Sequence, residues 1–237
     1  VTAEPQGNAM TTTTPSAAIS WSGGKDGCLA LLHAREAGVA VTTYVTACDP
    51  GGDTRGHRLP RALVAAQVQA LGGRWWPLEA GFADYGERFD ATLRALRACG
   101  HTQMVFGDID LQAHRDWLEP RCRAAGIEAL FPLWGLARAE VARQIIARGI
   151  RARLVVVDAR RLDASFCGAD YDAALLARLP ADVCPCGEGG EFHTFVGDAP
   201  GFAAPLRVVA GPVRELAAAP KLAPTPQWVQ ALRLAPQ

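Results

Sequence analysis

From residue 17 to residue 131, short apolar runs alternate with stretches of helical periodicity. Residues 17–21 predict a buried strand that enters a turn at Ser22–Gly24; Leu29, Leu32 and His33 then fall at helical spacing until Gly38 stops the helix. Residues 39–47 predict a second strand, 63–71 a helix and 74–78 a third strand. Phe89, Leu93 and Leu96 form the stripe of another helix, followed by a strand at 103–106, a helix at 117–125 and an extended stretch at 128–131. Strands separated by helices of this length imply right-handed crossovers and a parallel sheet covered on both faces. The predicted class is therefore α/β, a doubly wound parallel sheet.

After Pro132 the character shifts, with a helix at 137–148, a strand at 154–158 and a helix near 171–179. A loop rich in glycine and acid follows at 184–191, and then a proline-rich stretch with strand character only around 206–209. The expected organisation is a leader at 1–16, a nucleotide-binding domain at 17–131, a smaller α+β substrate domain at 132–225 and an irregular tail at 226–237. In a doubly wound sheet, ligands bind beyond the carboxyl ends of the strands. That rule singles out residues 22–27, 48–53 and 107–110.

Composition narrows the partners. With 24 basic and 24 acidic residues the formal charge is zero, so nothing favours nucleic acid or an anionic membrane surface. No apolar run approaches the ~20 residues of a membrane span, and the first fifteen residues lack the basic start and apolar stretch of a signal peptide. Seven scattered cysteines suit reduced thiols in a cytoplasmic protein better than a disulfide framework. Of the basic residues only Lys25 and Lys221 are lysine. A compact ammonium does not substitute for a planar guanidinium, which draws attention to Lys25 inside a glycine loop.

That loop is Ser22-Gly23-Gly24-Lys25-Asp26-Gly27, fed by Ser20 and Trp21 at the end of the first predicted strand. Glycines let backbone amides approach phosphate oxygens, and the helix that follows offers unpaired N–H groups and the positive end of its dipole. Ser22 adds a hydroxyl, Lys25 a charge and Asp26 a magnesium contact through water. A plain strand-to-helix turn is the competing reading. The spacing fits neither GxxxxGK[ST] nor GxGxxG, and it resembles the SGGxDS pyrophosphate loop of N-type ATP pyrophosphatases, with Gly27 where that pattern has serine.

Three further segments carry a closer resemblance: Val105–Ile109 with His114–Glu119, Ala129–Gly135, and Cys186–Val196. In that order they resemble the diphthine–ammonia ligase family and related short ATP-binding proteins, over roughly residues 17–205. The family's GE-N-GE-[FY]-HT pattern is matched by Gly187–Thr194, with Gly189 in place of the asparagine. The resemblance implies a HUP-type nucleotide-binding domain of the PP-loop kind and a C-terminal region whose acidic loop faces ATP. It implies a carboxylate substrate, ammonia, ATP and Mg²⁺, with ATP going to AMP and pyrophosphate.

On that resemblance, Ser22, Gly23, Gly24, Lys25 and Gly27 hold pyrophosphate, Asp26 helps place Mg²⁺, and Gly107 and Asp108 contact nucleotide or metal. Glu188, Glu191 and His193 bind the substrate or steer the amine, and a neutral His193 takes a proton from the attacking nitrogen. Simpler roles compete at each place: a helix cap for Asp108, a solvated acidic turn for 188–193, and an i,i+4 pair for Arg115 and Glu119. His57 and Arg58 follow the second strand, where a solvated loop competes with an adenine pocket or a substrate loop. Cys184, Cys186, Cys167 and His193 invite a zinc site, but CxC spacing favours structural thiols. Two other functions stay open, transfer to another small-molecule or RNA acceptor and nucleotide binding with little turnover.

Overall fold

The computed structural model describes residues 16–219 and 224–236; of the expected leader only Ser16 falls within them, and Lys221 lies outside. Five strands form one all-parallel sheet: β1 Ser16–Ser20, β2 Ala40–Cys48, β3 Arg74–Glu79, β4 His101–Val105 and β5 Glu128–Leu130, in the order β3-β2-β1-β4-β5. The crossovers are α1 Lys25–Glu36, α2 Arg61–Ala70, α3 Tyr85–Ala98 and α4 Gln112–Ala124. This is the doubly wound α/β sheet that the apolar periodicity predicts, and the strand order reverses between β1 and β4. A ligand crevice belongs at that reversal.

The two faces of the sheet bury separate clusters. Ile19, Leu29, Leu63 and Leu154 belong to the larger, and Ala18, Phe89, Leu93 and Met104 to the smaller. Ala18 and Ile19 fall on opposite sides because neighbouring side chains of a strand alternate between faces. β1 is buried on both, which is why it reads as an unbroken apolar run.

The second part is a separate antiparallel sheet. α5 Arg138–Ala147 leads into β6 Arg151–Asp158, which pairs with β7 Phe192–Asp198 on one side and β9 Gln227–Leu234 on the other; β8 Val208–Leu216 forms the edge. The short α6 Ala173–Arg178 is capped by the Asp172 carboxylate, which accepts from Leu175 N–H. The stretch expected as an irregular tail instead supplies β9, in the middle of this sheet. Its alternation is weak, and pairing with β6 and β8 supplies the order that local propensity does not.

One buried polar side chain ties the two sheets together. Gln67 of α2 is fully buried, accepts from Trp21 Nε1 at 3.2 Å, and donates to the carbonyls of Gly23 at 3.0 Å and Val196 at 2.7 Å. It joins the end of β1, the loop that follows and β7. Gln67→Leu keeps the volume and removes all three partners. Each group left unsatisfied costs about 1–3 kcal/mol, so the denaturant midpoint should fall clearly; an unchanged midpoint would remove Gln67 from this role.

Candidate active site

The loop after β1 forms as predicted at a helix start. Gly24 is the cap residue of α1, and Lys25 and Asp26 open the helix. Close packing fixes the neighbouring turn: a Cβ on Gly107 would stand 2.9 Å from the backbone N of Gly27, so only glycine lets the end of β4 lie against the first turn of α1. Above this junction lies a cavity of about 360 Å³, whose walls include Ser20, Ser22, Lys25, Asp26, Gly27, Gly107 and Asp108. Glu188, His193 and Thr194 close it from the C-terminal part.

Not every residue singled out in the sequence reaches that cavity. Trp21 is buried against Gln67, Gly23 and Gly24 sit behind the wall, and Glu191 turns inward. The Glu191 carboxylate accepts from Cys184 N–H at 3.2 Å and Gly189 N–H at 2.8 Å, so it holds the acidic loop from within. A Cβ on Gly189 would stand 2.8 Å from Glu191 Oε1, so a side chain at 189 requires that carboxylate to shift. Arg115 and Glu119 form the simple i,i+4 pair at 2.6 Å. Cys186 Sγ donates to the Arg138 carbonyl at 3.1 Å, which clamps the CxC segment onto α5.

Lys25 lies inward as well. Its ammonium is 2 % exposed and donates to Asp26 Oδ2 at 2.8 Å and to the Cys186 carbonyl at 2.5 Å. The rings of Phe192 and Tyr171 flank it at 5.3 and 5.4 Å. Burial pulls its pKa down, yet Asp26, with the Cys186 thiol and Glu188 further off, holds it above the ordinary lysine value. The other Asp26 oxygen, Oδ1, is buried without a hydrogen-bond partner. Glu188 is pushed up to about 7, chiefly by burial and then by the negative charge of Asp26. Asp108 caps no helix; its carboxylate meets His114 Nδ1 at 2.8 Å on the cavity wall.

Of two further features, the sequence raised one as a candidate and gave no sign of the other. The loop 54–59 is not a solvated excursion, because His57 Nδ1 donates to the Thr194 carbonyl at 2.7 Å and the ring lines the cavity. Thr194 Oγ1 also accepts from Lys25 N–H at 3.1 Å, satisfying one of the free amides at the start of α1. No local pattern marks a contact across 169 residues. The second feature is an aromatic recess of about 490 Å³ walled by Phe82, Tyr85, Phe89, Phe106 and Trp117. It shares Ser20, Asp108 and His114 with the polar cavity, so the two form one groove at the β1/β4 reversal. Trp117 serves both packing and the recess wall: its ring stacks on Tyr85 at 5.7 Å and lines the recess.

Residues 15–129 match the Diphthamide synthase N-terminal domain and residues 138–216 its C-terminal domain. The chain belongs to the diphthamide synthase family. The comparison with curated proteins returned no match. The diphthamide synthase match is consistent with the PP-loop ATP pyrophosphatase class, whose members use ATP and typically Mg²⁺. For a magnesium ion the fit is favourable. Among the described residues no cluster of three or more His, Cys, Asp or Glu could hold a metal by itself, but Mg²⁺ takes only one or two carboxylates plus phosphate oxygens and water. Asp26 Oδ1, buried and unpartnered, meets that requirement in this family member. Among the described residues no helix is long and apolar enough to cross a membrane.

Two measurements test the site. Lys25→Met leaves the Asp26 carboxylate facing a buried apolar chain, and breaking a buried pair this way costs about 3–5 kcal/mol. The variant should therefore lose stability even without nucleotide, whereas Lys25→Met with Asp26→Asn should recover much of it. If Lys25→Met alone leaves the denaturation curve in place, the ammonium is not the anchor described. Glu188 supplies a pH signature. Its folded pKa near 7 lies above the ordinary 4.5, so its contribution is full below that ordinary value and is lost as pH rises through 7. Glu188→Gln should gain stability relative to wild type between pH 5 and pH 8, as read in thermal melts across the range. A pH-independent difference would place the titration elsewhere.

Proposed function

We propose that the protein is an ATP-dependent ligase that adenylates a substrate carboxylate, releasing pyrophosphate, and then forms an amide with ammonia, releasing AMP. The observation that carries this reading is the meeting, in one groove, of an anion-binding helix start, the carboxylates of Asp26, Asp108 and Glu188, and an aromatic recess. A carboxylate oxygen is a poor leaving group, and adenylation turns it into AMP, a good one. The acyl-adenylate then needs shelter, because water competes with the amine.

The parts of the groove suit the parts of ATP. The aromatic recess suits the adenine ring, and Ser22–Gly27 at the positive end of α1 suits the pyrophosphate. Asp26 would hold Mg²⁺ through its free oxygen, with Asp108 and Glu188 on the same walls. The ion supplies positive charge that offsets the charge of the phosphates. Glu188, about half protonated near pH 7, lets an anionic acceptor approach with less repulsion than a fixed carboxylate would. The acceptor in this reading is a carboxylate, with the diphthine-bearing translation factor the first candidate.

A second reading, nucleotide binding with little turnover, draws support from the inward set of Lys25 and the missing hydroxyl at Gly27. One experiment separates them. With α-labelled ATP, Mg²⁺, an ammonium salt and a diphthine-bearing factor or simpler carboxylates, the ligase yields AMP and pyrophosphate in equal amounts. Their formation depends on the acceptor, which gains the acid-to-amide mass change. Formation of ADP and phosphate, or intact bound ATP with every acceptor, would sink the ligase reading.

A further inference from the structure

The sequence points to His193 as the acceptor of the amine's proton, but its surroundings point elsewhere. The His57 and His193 rings lie 4.8 Å apart between centroids, tilted by 43°, and both line the polar cavity. His57 covers the phosphate loop: a Cβ on Gly24 would come within 2.4 Å of its Cε1. That contact requires glycine at 24. The aromatic recess joins the cavity through Ser20, Asp108 and His114, and the histidine pair is absent from that junction. With adenine in the recess and the triphosphate along α1, the pair meets the far phosphates.

The tautomer of His57 is set by its partner. The Thr194 carbonyl only accepts, so Nδ1 carries the hydrogen and Nε2 keeps its lone pair. The ring is held firmly. Arg58 adopts φ 52°, in the left-handed region, and its N–H donates to the Thr54 carbonyl while its Nε donates to Gln227 Oε1 at 3.1 Å. A non-glycine residue kept there is over-determined by its surroundings, a pattern found at functional sites.

We infer that His57 and His193 form a proton-coupled subsite for pyrophosphate or the terminal phosphates of ATP, in which the pair takes up one proton as the anion binds. The proton goes to a ring nitrogen facing the cavity, Nε2 in the case of His57, which then donates to a phosphate oxygen. The inference rests on the Ser22–Gly27 loop holding a polyphosphate, as in the function proposed above. The charges around the pair are Lys25 and Asp26 on α1, Arg58 in the same loop, His57 acting on His193, and the carboxylates of Glu188 and Asp108 on the walls of the shared cavity. Burial first, then the neighbouring positive charges, keeps His193 neutral down to about 3, and burial lowers His57 too. An anion of several negative charges reverses that balance for one ring. The second ring stays neutral, because two imidazolium ions this close would repel.

The test uses the full chain with ¹⁵N-labelled histidine and sodium pyrophosphate, observed through the ring nitrogens between pH 6 and pH 8. Without pyrophosphate His193 should remain neutral over this range, and His57 should titrate below the ordinary histidine value. With it, one of the two should become doubly protonated, its midpoint moving above the ordinary value of about 6.5. His57→Asn keeps a donor for the Thr194 carbonyl but cannot take the proton; it should weaken pyrophosphate binding about tenfold near pH 6.5 and flatten the pH dependence of the affinity. Pyrophosphate that binds wild type with both rings still neutral overturns the subsite and leaves the ligase reading standing. Pyrophosphate that does not bind at all removes the phosphate loop's role, and the subsite with it. The wild-type spectra decide between these outcomes even if His57→Asn fails to fold.

Discussion

A lysine ammonium buried at the start of α1 is the constraint around which the rest of this site is arranged. Removing such a charge from water costs several kcal/mol unless its donors are used and its charge is matched. Lys25 satisfies the condition with Asp26, the Cys186 carbonyl and the faces of Phe192 and Tyr171. Each partner becomes fixed in turn. Tyr171 donates its hydroxyl to the Pro185 carbonyl, so the segment 184–188 is held from two sides, and Glu188 is carried to the cavity wall. The engagement of one Asp26 oxygen leaves the other buried and unpartnered.

The same few residues decide how the two sheets meet. Thr194 of β7 gives its hydroxyl oxygen to the first amide of α1 and its carbonyl to His57, while Gln67 joins β1, the loop and Val196. These bonds link backbone to side chain across the junction, with little room to slide. The groove that results changes character along its length, from aromatic at Phe82, Tyr85 and Trp117, through carboxylates at Asp26 and Asp108, to His57 over Gly24 with His193 beside it. A molecule with an apolar ring at one end and several phosphates at the other matches that gradient in order as well as in kind.

The parallel sheet was legible because its strands are buried on both faces, so their apolar runs stand out against helical stripes. The loop at 22–27 was legible for a related reason: its chemistry is local, held in six consecutive residues. What lay beyond reach was long-range. Gln67 looks like any polar residue of a surface helix until Trp21 and Val196 are brought to it. His57 looks solvated until β7 supplies a carbonyl, and β9 looks irregular until β6 and β8 pair with it. Glu191 misled in the opposite direction, since a motif places it among site residues but its carboxylate serves the loop's own amides. Sequence spacing shows which residues share a segment; it does not show which way a side chain turns.

Two departures from the family pattern looked alike in the sequence, each a polar side chain replaced by glycine, and the structure separates them. At Gly189 the space is taken: Glu191 reaches into it and satisfies the amide of 189 itself, so a longer side chain there would have to displace a carboxylate at 2.8 Å. At Gly27 nothing has moved in. A Cβ would meet the Ser20 carbonyl at 3.7 Å and Trp21 at 3.9 Å, both ordinary contacts, so serine would fit and its hydroxyl is simply missing. The loop at 22–27 therefore lacks a hydroxyl that the family pattern carries, with no side chain in its place. Among the side chains that face the loop from outside it, His57 and Thr194 stand against Gly24, and His193 lines the same cavity.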